Sequence, residues 1–182
     1  MKFTYTLAAE HFVTQILFRI SQNEKEMKRL KYGQTIIPFL QVVLAVWMFA
    51  KGSYFVAVGF LVMAAVWLIF YPKMMKKRYF TSYTAYVQNN YQKAFGLEVN
   101  VEITDATITA SDAFNTSTIE INNVKEIVEI SEMIMIVLKS GQSVILPKEA
   151  TSNFEELRIY LKDFSQRLSI PYLEKLDWKW AV

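Results

Sequence analysis

Acid–base or nucleophilic chemistry needs a carboxylate, imidazole, thiol or activated hydroxyl held against a partner, and this sequence offers few places to begin. Glu126, Glu129 and Glu132 fall at i, i+3 and i+6. In a β context that spacing reads as the solvated edge of a strand and turn. Serines and threonines crowd residues 104–118, but the only histidine, His11, is remote in sequence and reads as a helix-surface residue. There is no cysteine, which removes disulfides, thiolate zinc sites and cysteine nucleophiles together. The five glycines, at 33, 52, 59, 96 and 141, are too dispersed to form a phosphate loop. The expectation is a non-catalytic protein with no metal, no cofactor and no evident small-molecule substrate.

The residues with more to say are basic. Lys25, Lys28, Arg29 and Lys31 precede one uncharged run, and Lys73, Lys76, Lys77 and Arg78 follow another. The 182-residue chain is 53% hydrophobic with a net charge of +3. Its mean hydropathy of +0.17 is high for a small water-soluble domain. Clustered cations without a basic face over a whole domain do not suggest a nucleic-acid partner.

The apolar excess lies in "GQTIIPFLQVVLAVWMFA", residues 33–50, and "YFVAVGFLVMAAVWLIFY", residues 54–71, separated by Lys51, Gly52 and Ser53. Eighteen helical residues reach about 27 Å, close to the ~30 Å hydrocarbon core of a bilayer. A hairpin buried inside a soluble protein would need polar stripes. The second run has none, and the first has only Gln34, Thr35 and Gln41. Eight flanking cations against Lys51 between the runs is a positive-inside pattern. Tyr32 and Tyr71 at one end, with Trp47 and Tyr54 near the other, suit the two interfaces, and Pro38 lies in the first turns of its span. Residues 33–71 are thus expected to form a two-helix transmembrane hairpin with both termini cytoplasmic. The first span would serve as its own targeting signal, since no signal-peptide h-region precedes it.

Residues 1–32 read as a strand, "KFTYTL", followed by a helix from Ala8 to Leu30. That strand must pair with a β region beyond the hairpin or stay unpaired. Residues 72–96 read as a basic, aromatic, membrane-proximal helix containing Tyr79, Phe80, Tyr83 and Tyr86 and ending at Gly96. Its cations set orientation and can also attract anionic lipid.

From Gly96 the period changes to two. "LEVNVEIT", "TITAS", "NTSTIEI", "KEIVEIS", "MIMIVLK" and "SVIL" are short strands with tight turns, an antiparallel meander. "TSNFEELRIYLKDFSQRL" then carries an apolar helical stripe, with Ser152 and Glu155 as a capping box. A curved sheet closed by one C-terminal helix, residues 97–170, is the arrangement of pleckstrin-homology-like domains. The turn where phosphoinositide-binding domains of that class carry cations is here the acidic "TDAT". Both alternating sets of "MIMIVLK" are apolar, so Met133, Met135 and Val137 are a candidate interaction or self-association face, with ordinary core as the alternative. The tail, residues 171–182, mixes Trp178 and Trp180 with lysines. It is expected either to dock at the membrane interface beside Lys73, Lys76, Lys77, Arg78 and Tyr79, or to pack on the β domain.

The layout of "MKFTYTLAAEHF", two closely spaced spans, and "STIEINNVKEIVEISEMIMIVLKSGQSVILPKEATSNFEELRIYLKDF" resembles the YcxB-like proteins of bacteria. The resemblance implies an inner-membrane protein with a cytoplasmic, pleckstrin-homology-like domain, and brings no catalytic residues with it. The expected function is a membrane-anchored module that binds a cytoplasmic protein or its own copies. The alternative is a module that senses lipid headgroups.

Overall fold

The structure, a computed structural model, describes residues 1–149 and 153–180. Within these, eight strands and four helices divide between two compact units: residues 1–15 with 86–179, and residues 16–85 with Trp180.

The first unit contains two four-stranded sheets. In the first, β1 (Lys2–Thr6), β2 (Glu98–Ile103), β3 (Thr107–Ser111) and β4 (Thr116–Glu120) pair antiparallel in that order. The N-terminal strand therefore does join the distant β region, with Phe3 opposite Val101 and Tyr5 opposite Val99. Its period-two pattern is what makes this possible: Phe3 and Tyr5 are buried while Lys2, Thr4 and Thr6 are exposed. The Met1 ammonium adds a 2.6 Å bond to the Ile103 carbonyl.

The second sheet has the order β7 (Ser143–Pro147), β6 (Met133–Leu138), β5 (Val124–Ile130), β8 (Tyr172–Lys175). Here the expected simple meander needs correction. β8 comes from the tail, which had been set apart at residue 171, and runs parallel to β5 with Ile127 opposite Tyr172. A parallel partner requires a crossover connection, and α4 (Phe154–Arg167) supplies it. The Ser152 of the expected capping box lies outside the described residues; Asn153 occupies the N-cap of α4, and its side-chain amide bonds Glu156.

Leu157, Leu161 and Phe164 of α4 pack with Ile127, Ile134, Ile136 and Leu146 of this sheet, and with Val101, Ile103 and Ile108 of the other, into one core. Side chains on the opposite face of the second sheet are buried as well. Val128, Ile130, Met133 and Met135 are all buried. Near that face, the Thr14 hydroxyl of α1 (Ala9–Ser21) bonds Glu132 at the β5–β6 turn.

In the second unit, α1 stops at Ser21 and α2 (Glu24–Ala50) starts afresh, where the periodicity of residues 8–30 had suggested one helix. Asn23 is the reason. Its side-chain oxygen accepts from the amides of Lys25 and Glu26, capping the new helix. α3 (Tyr54–Tyr91) is likewise longer than expected, joining the second apolar run and the basic segment through Pro72 in one helix. A short 3₁₀ turn, Gln92–Ala94, and Gly96 at φ +71° end it.

The α2–α3 seam is built from small or closely fitted residues. Leu30, Pro38 and Ala45 on α2 are buried, as are Ala57, Ala64 and Tyr71 on α3. A Cβ on Gly33 would come within 2.1 Å of the Tyr71 hydroxyl, so only glycine lets that ring lie against the α2 backbone. Trp67 donates its indole N–H to the Gly33 carbonyl at 3.2 Å. Away from the seam, the helices present Ile36, Phe39, Val46, Phe55, Val62 and Phe70 outward.

Candidate functional site

Glu129 is the clearest departure from the sequence reading. It is not on a solvated edge: it is 1% exposed, on the α4 face of β5. One carboxylate oxygen accepts from Lys148 Nζ at 2.8 Å; the other accepts from Arg158 Nε at 3.0 Å and the Tyr172 hydroxyl at 2.8 Å. Burial alone would raise its pKa, but the three donors and the Lys148 charge outweigh that and hold it below the ordinary carboxylate range. A carboxylate so saturated is a poor general base. Its geometry is that of a clamp, joining β5, the end of β7, α4 and β8.

Local sequence carries no signal for this clamp. Lys148, Arg158 and Tyr172 sit 19, 29 and 43 residues from Glu129, with no local spacing to connect them. A register shift between Val124 and Glu126 also breaks the simple alternation of β5.

The second candidate lies wholly within the helical unit. Glu26, Arg29, Leu30 and Gly33 of α2 and Tyr71, Met75, Arg78, Tyr79, Ser82 and Tyr83 of α3 enclose a groove of about 730 Å³. Burial first, then the nearby Glu26 and Tyr83, push the Tyr79 hydroxyl above its ordinary pKa, so at neutral pH it is a hydrogen-bond donor. Of the cations predicted to meet a membrane, Arg78 lines this groove, while Lys73, Lys76 and Lys77 stand exposed on α3.

The two tryptophans of the tail part company. Trp178 is half-buried, whereas Trp180 is 7% exposed, with its ring 5.7 Å from that of Tyr79. Its buried indole N–H has no hydrogen-bond partner among the described residues. Met133 and Met135, offered as an interaction face, are 0% and 1% exposed, and Val137 is half-buried. Burial of both methionines fits the alternative reading of the pattern, ordinary core.

A third feature escaped the sequence reading. Phe114, 74% exposed, stands at the β3–β4 hairpin, where the Asp112 carboxylate accepts from the amides of Phe114 and Asn115 at 2.7 and 2.8 Å. With Lys93, Ala94 and Leu97 it borders an open cleft of about 680 Å³. In the acidic β2–β3 turn, Asp105 pairs with Arg167 at 2.8 Å.

No curated protein and no solved structure showed significant similarity to the chain. A family model does match, over residues 103–162, which run from the end of β2 through most of α4 and include Glu129, Lys148 and Arg158. The matched family is described as YcxB-like protein, and the matching stretch is a third of the chain.

Proposed function

We propose that this chain is a two-span protein of the bacterial inner membrane that holds a non-catalytic, pleckstrin-homology-like module at the cytoplasmic surface for binding another protein or its own copies. The observation that carries the membrane reading is exposure. In the most apolar stretches of α2 and α3 only 11% and 17% of residues are buried, whereas a core helix of a soluble protein would hide most of such a surface. The cation pattern at the two ends adds an orientation, with the β module on the cytoplasmic side. Two four-stranded sheets with one helix packed across the core support the pleckstrin-homology-like reading.

With Met133 and Met135 in the core, the interaction reading moves to Phe114. An exposed aromatic on a hydrogen-bonded turn beside a cleft is the kind of anchor on which protein interfaces concentrate their energy. Photocrosslinking in intact membranes from a probe placed at Phe114 is expected to trap a protein, the adduct mass separating a second copy from a different partner. No adduct from that site would remove it as the interaction surface. Retention in the membrane pellet after alkaline carbonate washing is the expected result for the anchor, and release into the supernatant would contradict it.

A further inference from the structure

The groove at the base of the α2–α3 hairpin has a chemistry that the anchoring role leaves unused. Gly33 and Tyr71, which line it, are also the residues at which the two uncharged runs meet the basic flanks. From Gly33 back to Glu26 the helix advances about 10 Å, comparable to the roughly 5–8 Å headgroup layer on each side of a bilayer. The groove therefore begins where acyl chains would end. Arg29 and Arg78 enter it from different helices, and neither forms an ion pair among the described residues. The hydroxyls of Tyr79, Tyr83 and Ser82 supply further donors. Two guanidiniums with hydroxyl donors lining one groove offer the groups that a phosphodiester accepts from. Glu26 is the remaining charged group and works against a bare phosphate, but it can accept hydrogen bonds from hydroxyls of a headgroup. The two arginines and Glu26 leave one net positive charge in the groove, and Lys25, Lys73, Lys76 and Lys77 add to the surrounding positive field.

We infer that this groove is a binding site for the headgroup of an anionic, hydroxyl-bearing phospholipid such as phosphatidylglycerol, with Arg29 and Arg78 on the phosphate and Glu26 on the headgroup hydroxyls. The inference rests on the bilayer reading. It differs from a polybasic surface in requiring two particular cations and one anion.

The test is native mass spectrometry of the full-length protein in neutral detergent with equimolar phosphatidylglycerol and phosphatidylcholine. The wild-type protein should retain phosphatidylglycerol preferentially, and the Arg29→Gln, Arg78→Gln double variant should lose that preference by about tenfold, the loss expected when charge-assisted contacts are removed. Lys76→Gln, Lys77→Gln, with the same charge change on exposed positions, should keep it. In a second mixture of equimolar phosphatidylglycerol and phosphatidic acid, whose head carries no hydroxylated group, Glu26→Gln should shift selection toward phosphatidic acid. Inorganic phosphate or glycerol 3-phosphate should not displace the lipid; displacement would mean a site for soluble phosphate instead and would overturn the assignment. Equal loss in the arginine and lysine variants would show plain surface attraction, and an unchanged preference in the arginine variant would equally overturn the site. Retention of no lipid of any class would count against the bilayer reading itself, whereas equal retention of both lipids would leave that reading standing and remove only this one.

Discussion

The two units use the same apolar side chains in opposite ways. In the β unit Ile127, Ile134, Ile136, Leu157 and Leu161 are 0% exposed, whereas in the helical unit Phe39, Val46, Phe55 and Val62 are between 57% and 96% exposed. Burial against protein stabilises the first set. The second set gains nothing from this chain and awaits another apolar phase, which a bilayer supplies. The polar groups show the same contrast. Glu129, buried in the β unit, is fully satisfied by three donors, while Gln41 in the helical unit keeps a buried amide oxygen without a partner among the described residues.

If that contrast is right, truncations of similar size should have very unequal effects. Leu157→Ala should cost about 3–5 kcal/mol of β-unit stability, from the transfer and cavity terms of a fully buried side chain. Val46→Ala, on the exposed face of α2, should cost less than about 0.5 kcal/mol. Denaturant titrations in one detergent, followed by circular dichroism, compare the two directly. Similar effects at both positions would erase the distinction.

Next in size is the clamp. Glu129→Ala should destabilise the β unit by about 2–3 kcal/mol, moderated because Lys148 and Arg158 remain 21% and 26% exposed and can turn to water. The pH dependence has a definite sign. Because the folded state depresses the Glu129 pKa below 4.5, its contribution is complete above the unfolded-state value and is lost as pH falls through the folded-state value. Acid titration of unfolding should show this loss, and Glu129→Gln should flatten that limb. An unchanged acid limb in the glutamine variant would mean that other carboxylates govern it.

A smaller effect is expected at the seam. Gly33→Ala places a Cβ where the Tyr71 hydroxyl lies and should cost about 1–2 kcal/mol by displacing the ring. It should also change the lipid selectivity of the adjoining groove. A neutral result would show that Tyr71 swings aside without consequence.

Much of this fold was legible locally. The charge-free runs announced α2 and α3, and alternation in "KFTYT" and "EVNVEI" announced β1 and β2, because each pattern is complete within a few residues. What escaped depended on distant partners. "YLEK" is too short and mixed to read as a strand, and it becomes β8 only because β5 offers an open parallel edge and Tyr172 reaches Glu129. Glu129 itself looked solvated because nothing near it in sequence reveals Lys148, Arg158 or Tyr172. The groove was half visible: Arg78 and Tyr79 stood out in the basic cluster, but Arg29, Glu26 and Gly33 joined them only once α2 and α3 lay side by side.

The central claim is that α2 and α3 cross a bilayer as a hairpin. The absence of cysteine makes a clean test available. Single substitutions Lys51→Cys, at the exposed hairpin tip, and Ser117→Cys, on the exposed strand β4, can each be treated with a membrane-impermeant maleimide in intact spheroplasts and again after permeabilisation. The account predicts that the tip cysteine reacts in intact spheroplasts and that the β4 cysteine reacts only once the membrane is opened. Reaction of both positions under the same condition, whether before or only after permeabilisation, would contradict it.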